Sequence, residues 1–423
     1  MDHTTQRAAL LRDPNFRWML GGGAISVLGD QFTMIALPWL VLKLTGDALA
    51  LGMVVALMSV PRAVLILFGG ALVDRYSPKQ VLMLTKYANA VLLGLLAVLV
   101  LSGQARLALV APIALSIGLA SAFSIPSGTS ILPHVVAPAQ LGPANAMLMG
   151  VRQGALLMGP LLAALLFVLA GDGSGGMHEA NGLGIAFALD CASFVVSAYT
   201  LSRVRLRALT PAPAQPILRA VLEGLAAVWN DRTMRACFAY WAVCACVTGS
   251  LMQVALPVLA ATRLHGAFSL GLLLAAHGIG TLAGMLLTGV KGDFRVRNLG
   301  TTLLVIDAIV AALILPIAWL ASTWQIALVN VSIGALAGFM QVAVITWVQR
   351  RVPPVMIGRT MSLFMFILMG LAPLTAALAG WVMRYTGLAG MFTASGLLLA
   401  GVAGLAYAFT PIRTMADVPA RGQ

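Results

Sequence analysis

Apolar runs of about twenty residues recur along the whole chain, separated by short polar breaks. Twelve can be marked, at approximately 17–41, 48–72, 80–102, 106–126, 145–170, 183–203, 235–260, 268–289, 299–320, 324–348, 359–383 and 388–410. Each is long enough to cross a ~30 Å hydrocarbon core as a helix. The pattern predicts an all-α integral membrane protein of twelve transmembrane helices. One break is much longer than the others, 204–233. It contains TPAPAQP, which proline keeps extended, and then LRAVLEGLAAVWNDR, whose apolar positions predict an amphipathic helix on the membrane surface. The chain therefore divides into a six-helix half at 1–203, a cytoplasmic linker at 204–233 and a second six-helix half at 234–423.

The halves repeat each other. MIALPWLVLKLTGDALALGMVVAL at 34–57 matches QVALPVLAATRLHGAFSLGLLLAA at 253–276 without a gap. Ala36-Leu37-Pro38 falls on Ala255-Leu256-Pro257, and Leu51-Gly52 on Leu270-Gly271. The same offset places Gly70 and Asp74 on Gly289 and Asp293. Two parallel, pseudo-symmetric six-helix halves are an architecture of alternating-access transport, with substrate bound midway between them.

Composition agrees. Hydrophobic residues make up 60% of the 423 positions and charged residues 9%, too few to cover a water-facing surface. The net charge of +13 raises nucleic acid as a partner, but the basic residues lie mostly between apolar runs and form no stripe with aromatics. With a cytoplasmic N-terminus, 19 of the 26 Lys and Arg fall on the cytoplasmic side and only Lys43, Arg106, Arg263 and Arg384 outside. That imbalance predicts both termini in the cytoplasm. The polar start, MDHTTQRAALLRDPNFR, leads directly into a full-length span and does not read as a cleavable signal. Cys191, Cys237, Cys244 and Cys246 lie in apolar runs without metal-ligand spacing, so they read as small buried hydrophobes and no metal or cofactor is expected.

Gly70-Ala71-Leu72-Val73-Asp74-Arg75-Tyr76-Ser77-Pro78-Lys79, between spans 2 and 3, resembles the major facilitator signature Gly-x-Leu-Ala-Asp-Arg-x-Gly-Arg. Gly, Leu, Asp and Arg match; Ser77 and Pro78 depart, and Lys79 keeps a basic charge. The resemblance implies a cytoplasmic gate at Gly70, Asp74 and Arg75, echoed by Gly289 and Asp293. A carboxylate capping a helix N-terminus is physically favourable there. LGDQFTMIALPWLVLKLTG, FSIPSGTSILPHVV, FALDCASFVVSA and RRVPPVMIGRTMSL are similar to the twelve-span drug-exporter branch, which includes macrolide efflux pumps and the enterobactin exporter. The likeness covers about residues 15–410. In the exporter signature of span 5, Gly159-Pro160 is kept, but Ala163-Ala164 replaces the glycine pair.

Asp30 stands near the middle of span 1. An ionised carboxylate there costs several kcal/mol unless it is paired, wet or protonated. Ser26, Asp30 and Thr33 share a face with Gly23. Arg62 in span 2 lies at similar depth and is the expected partner, so that opposing influences poise Asp30 to take up and release a proton. A static pair locking spans 1 and 2 is the alternative. His277 in span 8 begins a polar stripe with Thr281, Gly284 and Thr288, and suits proton relay or substrate contact. Arg152 and Gln153 enter span 5, where Arg152 suits an anionic substrate or a gate tie. Gln341 ends a stripe with Asn330, Gly334 and Gly338 in span 10. Met361, Met365 and Met369 line one face of span 11; thioethers suit varied apolar ligands, although core packing is the favoured explanation. Lys86 reads as interfacial, snorkelling to the cytoplasm. The resemblance puts spans 3, 6, 9 and 12 outside the central cavity, so Asp190 and Asp307 are expected to be structural. Pro38, Pro61, Pro160 and Pro373 mark expected kinks.

These features point to a proton-coupled exporter of small amphipathic compounds, a monomer in the bacterial inner membrane. Export of a siderophore, metallophore or anionic metabolite, or movement of a lysolipid, are the alternatives within transport. An intramembrane aspartyl protease would want Gly-x-Gly-Asp, but the two Gly-Asp sites read Val27-Leu28-Gly29-Asp30 and Val290-Lys291-Gly292-Asp293. Neither HExxH nor a P-loop occurs, so no enzymatic activity is expected.

Overall fold

The computed structural model describes residues 10–75, 77–137, 140–171, 181–207, 222, 225, 226, 228–264, 266–290, 296–352, 357–367, 371 and 375–415. Within these, the side chains of residues 63, 64, 66–75, 125, 129, 142, 289, 290, 357–359, 362 and 365 are outside the description. The described residues are mostly helical: α1 (Pro14–Thr45), α2 (Ala48–Arg75), α3 (Pro78–Leu101), α4 (Leu107–Ile131), α5 (Leu141–Ala170), α6 (Asn181–Arg203), α7 (Arg232–Thr262), α8 (Ala267–Val290), α9 (Leu299–Ile314), α10 (Thr323–Arg351), α11 (Ile357–Phe366) and α12 (Ala376–Phe409). Ten helical stretches among them are long and apolar enough to cross a membrane, and α2 adds the shorter apolar stretch Ala48–Arg62. In α12, Gly387 has φ 70° and ψ −179°, so two helical segments meet there at a break. The first completes span 11 and the second is span 12. Only a residue without Cβ adopts that backbone freely.

Helix ends follow local chemistry. Asp13 caps α1 by accepting the Asn15 N–H at 2.8 Å, and Pro14 sets the first turn. The signature segment is more helical than a connecting loop: α2 continues through Arg75 and α3 starts at Pro78. The missing N–H of Pro78 costs nothing in a first turn. Gly70, Asp74 and Arg75 lie in the last turns of α2 with side chains outside the description; Asp293 lies outside it altogether, as do Met369 and Pro373. Lys79 Nζ donates to the carbonyls of Ser202 and Val204 at 2.9 and 2.6 Å, placing a cation on the negative end of α6. Most of 204–233, including the expected amphipathic helix, falls outside the described residues.

Two compact units make up the chain. Unit 1 comprises Met1–Gly46, Leu57–Ile217 and Gly266–Gly271; unit 2 comprises Asp47–Ala56, Leu218–His265 and Leu272–Gln423. In unit 1, α1 lies flush on α6. Gly29 is the contact point, since an added Cβ would sit 2.2 Å from Ser193 Oγ. On α3, Leu84, Val91 and Val98 are exposed while Thr85, Lys86 and Asn89 are buried. That inverted polarity fits a helix with lipid outside and protein inside.

In unit 2, α8 and α10 interlock through reciprocal glycines. A Cβ on Gly280 or Gly284 would strike the carbonyl of Val331 or Ala335; one on Gly334 or Gly338 would strike that of His277 or Thr281. The sequence-level GxxxG of span 8 thus meets a second one in span 10. Helix α7 is not uniform: Leu251–Ala255 is a π turn. Pro257 explains it in part, because its ring cannot approach the carbonyl four residues back and it donates no hydrogen bond there. Asp231 caps the start of α7, accepting from the N–H groups of Thr233 and Met234 at 2.9 and 3.1 Å, and is held by Arg351 at 2.6 and 3.2 Å.

Gly284→Ala should lower stability by about 1–3 kcal/mol through overpacking. Gly401→Ala, whose Cβ would meet open space, should be neutral or slightly stabilising. Thermal unfolding in detergent compares them; equal midpoints would contradict the interlock. A second expectation concerns pH. Burial raises the Asp231 carboxyl, but the Arg351 hydrogen bond, the two backbone N–H groups and the Arg351 charge outweigh it and hold it below its ordinary value of 3.8. A carboxyl depressed on folding stabilises fully above about pH 4. That contribution should fade as pH falls through the lowered folded value. Asp231→Ala should lower stability by about 1 kcal/mol at pH 7, and the gap to wild type should narrow under acid.

Candidate functional site

Asp30 occupies the midpoint of the 32-residue helix α1 and is exposed, although its neighbours Gly29 and Gln31 are buried. An accessible carboxylate halfway along a membrane-length helix reaches water or a polar opening rather than lipid. The cations acting on it are, in order of influence, Lys86, Arg62 and Arg152. This revises the expected pairing. Asp30 and Arg62 make no direct ion pair; Arg62 is half-buried and acts at longer range. The principal cation is Lys86, which is not snorkelling. It is only 8% exposed, donates to Ser26 Oγ at 3.2 Å and lies 5.5 Å from the Phe194 ring centre. The inward turn of α3 that buries Thr85 and Asn89 brings Lys86 inside with them.

Asp190, expected to be structural, is buried in the same cluster. It is 1% exposed, accepts from Thr33 Oγ1 at 2.5 Å and from Ser193 Oγ at 3.1 Å, and feels both Asp30 and Lys86. The close approach of α1 and α6 at Gly29 makes this possible. The polar stripe of span 1 is therefore shared out: Ser26 contacts α3, Thr33 contacts α6, and Asp30 stays accessible between them. Arg152 is exposed on α5 and its charge reaches both Asp30 and Arg62. Unit 1 thus gathers two acids and three bases. Pro160 is buried within α5, which remains helical across it.

Unit 2 holds a cavity of about 410 Å³, within the size range of small-molecule sites. His277, Gln341, Asn330 and Asp307 are in its wall, with Met252 and Gln253 of the π turn. Gln341 is exposed; Asn330 is 1% exposed. Asp307, expected to be structural, lines this cavity and accepts the Tyr240 hydroxyl at 2.5 Å. His277 Nδ1 and Asn330 Nδ2 are buried without hydrogen-bond partners among the described residues. Of the methionines of span 11, Met361 is half-buried, while the Met365 side chain and Met369 lie outside the description. The lining methionines are instead Met252 and Met340. Helix rotation, which hydropathy alone does not encode, decides this; Pro257 was the one signal for the π turn.

The Major Facilitator Superfamily model matches residues 19–377, and the chain belongs to that family. It is a multi-pass membrane transporter, not an enzyme, with a small molecule as its substrate. It is 25% identical to an uncharacterized MFS-type transporter, y4rN, of Sinorhizobium fredii (strain NBRC 101917 / NGR234), over 96% of this chain and 98% of that protein. It is 28% identical to the multidrug efflux pump Tap of Mycolicibacterium fortuitum over 218 residues, covering 49% of this chain and 50% of the pump. Among solved structures it is similar to the nucleoside transporter NupG, with TM-score 0.70 and 14% identity over 94% of this chain and 99% of that one. It is also similar to a bacterial homologue of the iron transporter ferroportin, with TM-score 0.65 and 17% identity over 92% and 97%. At these identities the structures share a fold.

Lys86→Met should destabilise the protein by leaving the acids Asp30 and Asp190 without their principal cation. Adding Asp30→Asn should recover part of that loss, giving a coupling of about 1 kcal/mol or more in a double-mutant cycle. Strict additivity of the two changes in thermal unfolding would show that the residues do not interact.

Proposed function

We propose that this chain is a proton-coupled exporter of small amphipathic compounds, working as an antiporter by alternating access. Its place is the bacterial inner membrane, as a monomer with both termini in the cytoplasm. The two six-helix halves, 1–203 and 234–423, carry the movement, joined by the 204–233 linker. The observation that carries this reading is the accessible mid-membrane Asp30, facing Lys86, Arg62 and Arg152. A carboxylate in that setting balances the cost of desolvation against nearby cations, so a change of access shifts its proton affinity. His277 is the second candidate for proton exchange, and Gly70, Asp74, Arg75, Gly289 and Asp293 form the gate at the cytoplasmic face. The likeness to the efflux pump Tap, though confined to half of each chain, favours amphipathic drugs as cargo. The excess of three cations over two acids in unit 1 favours a second reading, export of an anionic metabolite or siderophore.

Proteoliposomes with an imposed pH gradient test this, using cationic dyes, macrolides and siderophores. Wild type should concentrate some members in response to the gradient. Asp30→Asn should lose the gradient-driven component, by tenfold or more, while still binding substrate. Full gradient-driven uptake by Asp30→Asn would remove proton coupling from Asp30 and leave it a structural member of the cluster.

A further inference from the structure

The cavity of unit 2 has a specific chemical imbalance. Asp307 is the one ionisable acid in its described wall, and no Lys or Arg lines it. One carboxylate oxygen already accepts the Tyr240 hydroxyl, which fixes the group without neutralising it. Trp241, Phe364 and Phe392 line the same space, and Trp241 and Phe364 pack edge to face with ring centres 5.5 Å apart. A carboxylate and several aromatic rings around one cavity are what an organic ammonium group requires.

A second, independent observation points to a ligand. Asn330 is 1% exposed, lines the cavity, and leaves its Nδ2 donor unpartnered among the described residues. A buried donor without an acceptor costs ~1–3 kcal/mol. It sits on α10 where Gly334 and Gly338 draw that helix against α8, so it does not withdraw easily. The π turn of α7 contributes Met252 and Gln253 to the opposite wall. Widened turns of this kind recur at functional sites.

We propose that this cavity, wholly within unit 2, binds a monocationic aryl-alkylamine carrying a hydrogen-bond acceptor. The ammonium group pairs with Asp307 between the aromatic rings, the acceptor takes the Asn330 Nδ2 hydrogen, and Met252 and Met340 accommodate the apolar body. This deepens the transporter reading by naming a substrate class and a site for it. It places cargo recognition on a carboxylate other than Asp30.

The test is equilibrium binding to full-length protein in detergent without any gradient. Radiolabelled propranolol, a protonated amine with ether and hydroxyl acceptors, is compared with its neutral N-acetyl derivative. Wild type should bind propranolol at least tenfold more tightly than the derivative. Asp307→Asn should abolish that preference while leaving the derivative's affinity within about twofold. Asn330→Ala should weaken both ligands several-fold. Should Asp307→Asn fail to fold, Trp241→Leu, which leaves the Tyr240 contact in place, should reduce the preference about fivefold. Equal binding of both ligands by wild type, or unchanged preference in Asp307→Asn or Trp241→Leu, would each overturn the assignment. Because no gradient is applied, the binding result stands or falls separately from the coupling role of Asp30.

Discussion

A charge held at the depth of a hydrocarbon core must be compensated, and the packing of unit 1 is organised around that requirement. Lys86 and Asp190 are almost fully buried, on α3 and α6, and α6 packs against both α3 and α1. Gly29 lets α1 approach α6 closely enough for Thr33 to reach Asp190. Ser26 receives Lys86 on another side. Removing any one of these contacts leaves an uncompensated group where water is scarce, a far larger loss than that of the hydrogen bond alone. The small residues at these contacts let the helices enclose the polar groups tightly.

The two units answer the same problem differently. Unit 1 collects acids and bases until they offset one another. Unit 2 keeps a single carboxylate, tied by a tyrosine, within a largely apolar cavity.

Much of this fold was legible in the sequence, because membrane spans announce themselves by length and hydropathy. The twelve spans, the repeat and the membership of the transporter family all came from signals that need no tertiary information. Asp30, His277 and Gln341 also stood out as candidates, since they are polar residues in apolar runs. What the pattern left open was rotation about each helix axis. Lys86 looked interfacial because it is near the end of a span, yet the buried face of α3 carries it inward. Arg62 looked like the partner of Asp30 by depth alone, and depth does not fix direction. Asp190 and Asp307 were expected to be structural from the family plan, which gave no hint of their partners Thr33, Ser193 and Tyr240.

The π turn at Leu251–Ala255 bears on how the internal repeat is to be compared. A π turn takes in one more residue than the α-helical path it replaces. The counterpart stretch of α1 is uninterrupted α-helix, even though it carries Pro38 where α7 carries Pro257. The ungapped correspondence between the halves therefore holds after the turn and slips by one position before it. A one-residue slip rotates everything upstream by about 100° about the helix axis. Counted along the helix from Pro257, the counterpart of Asp30 is then Thr248 rather than Gly249, so the repeat keeps its helix number but changes phase at the π turn.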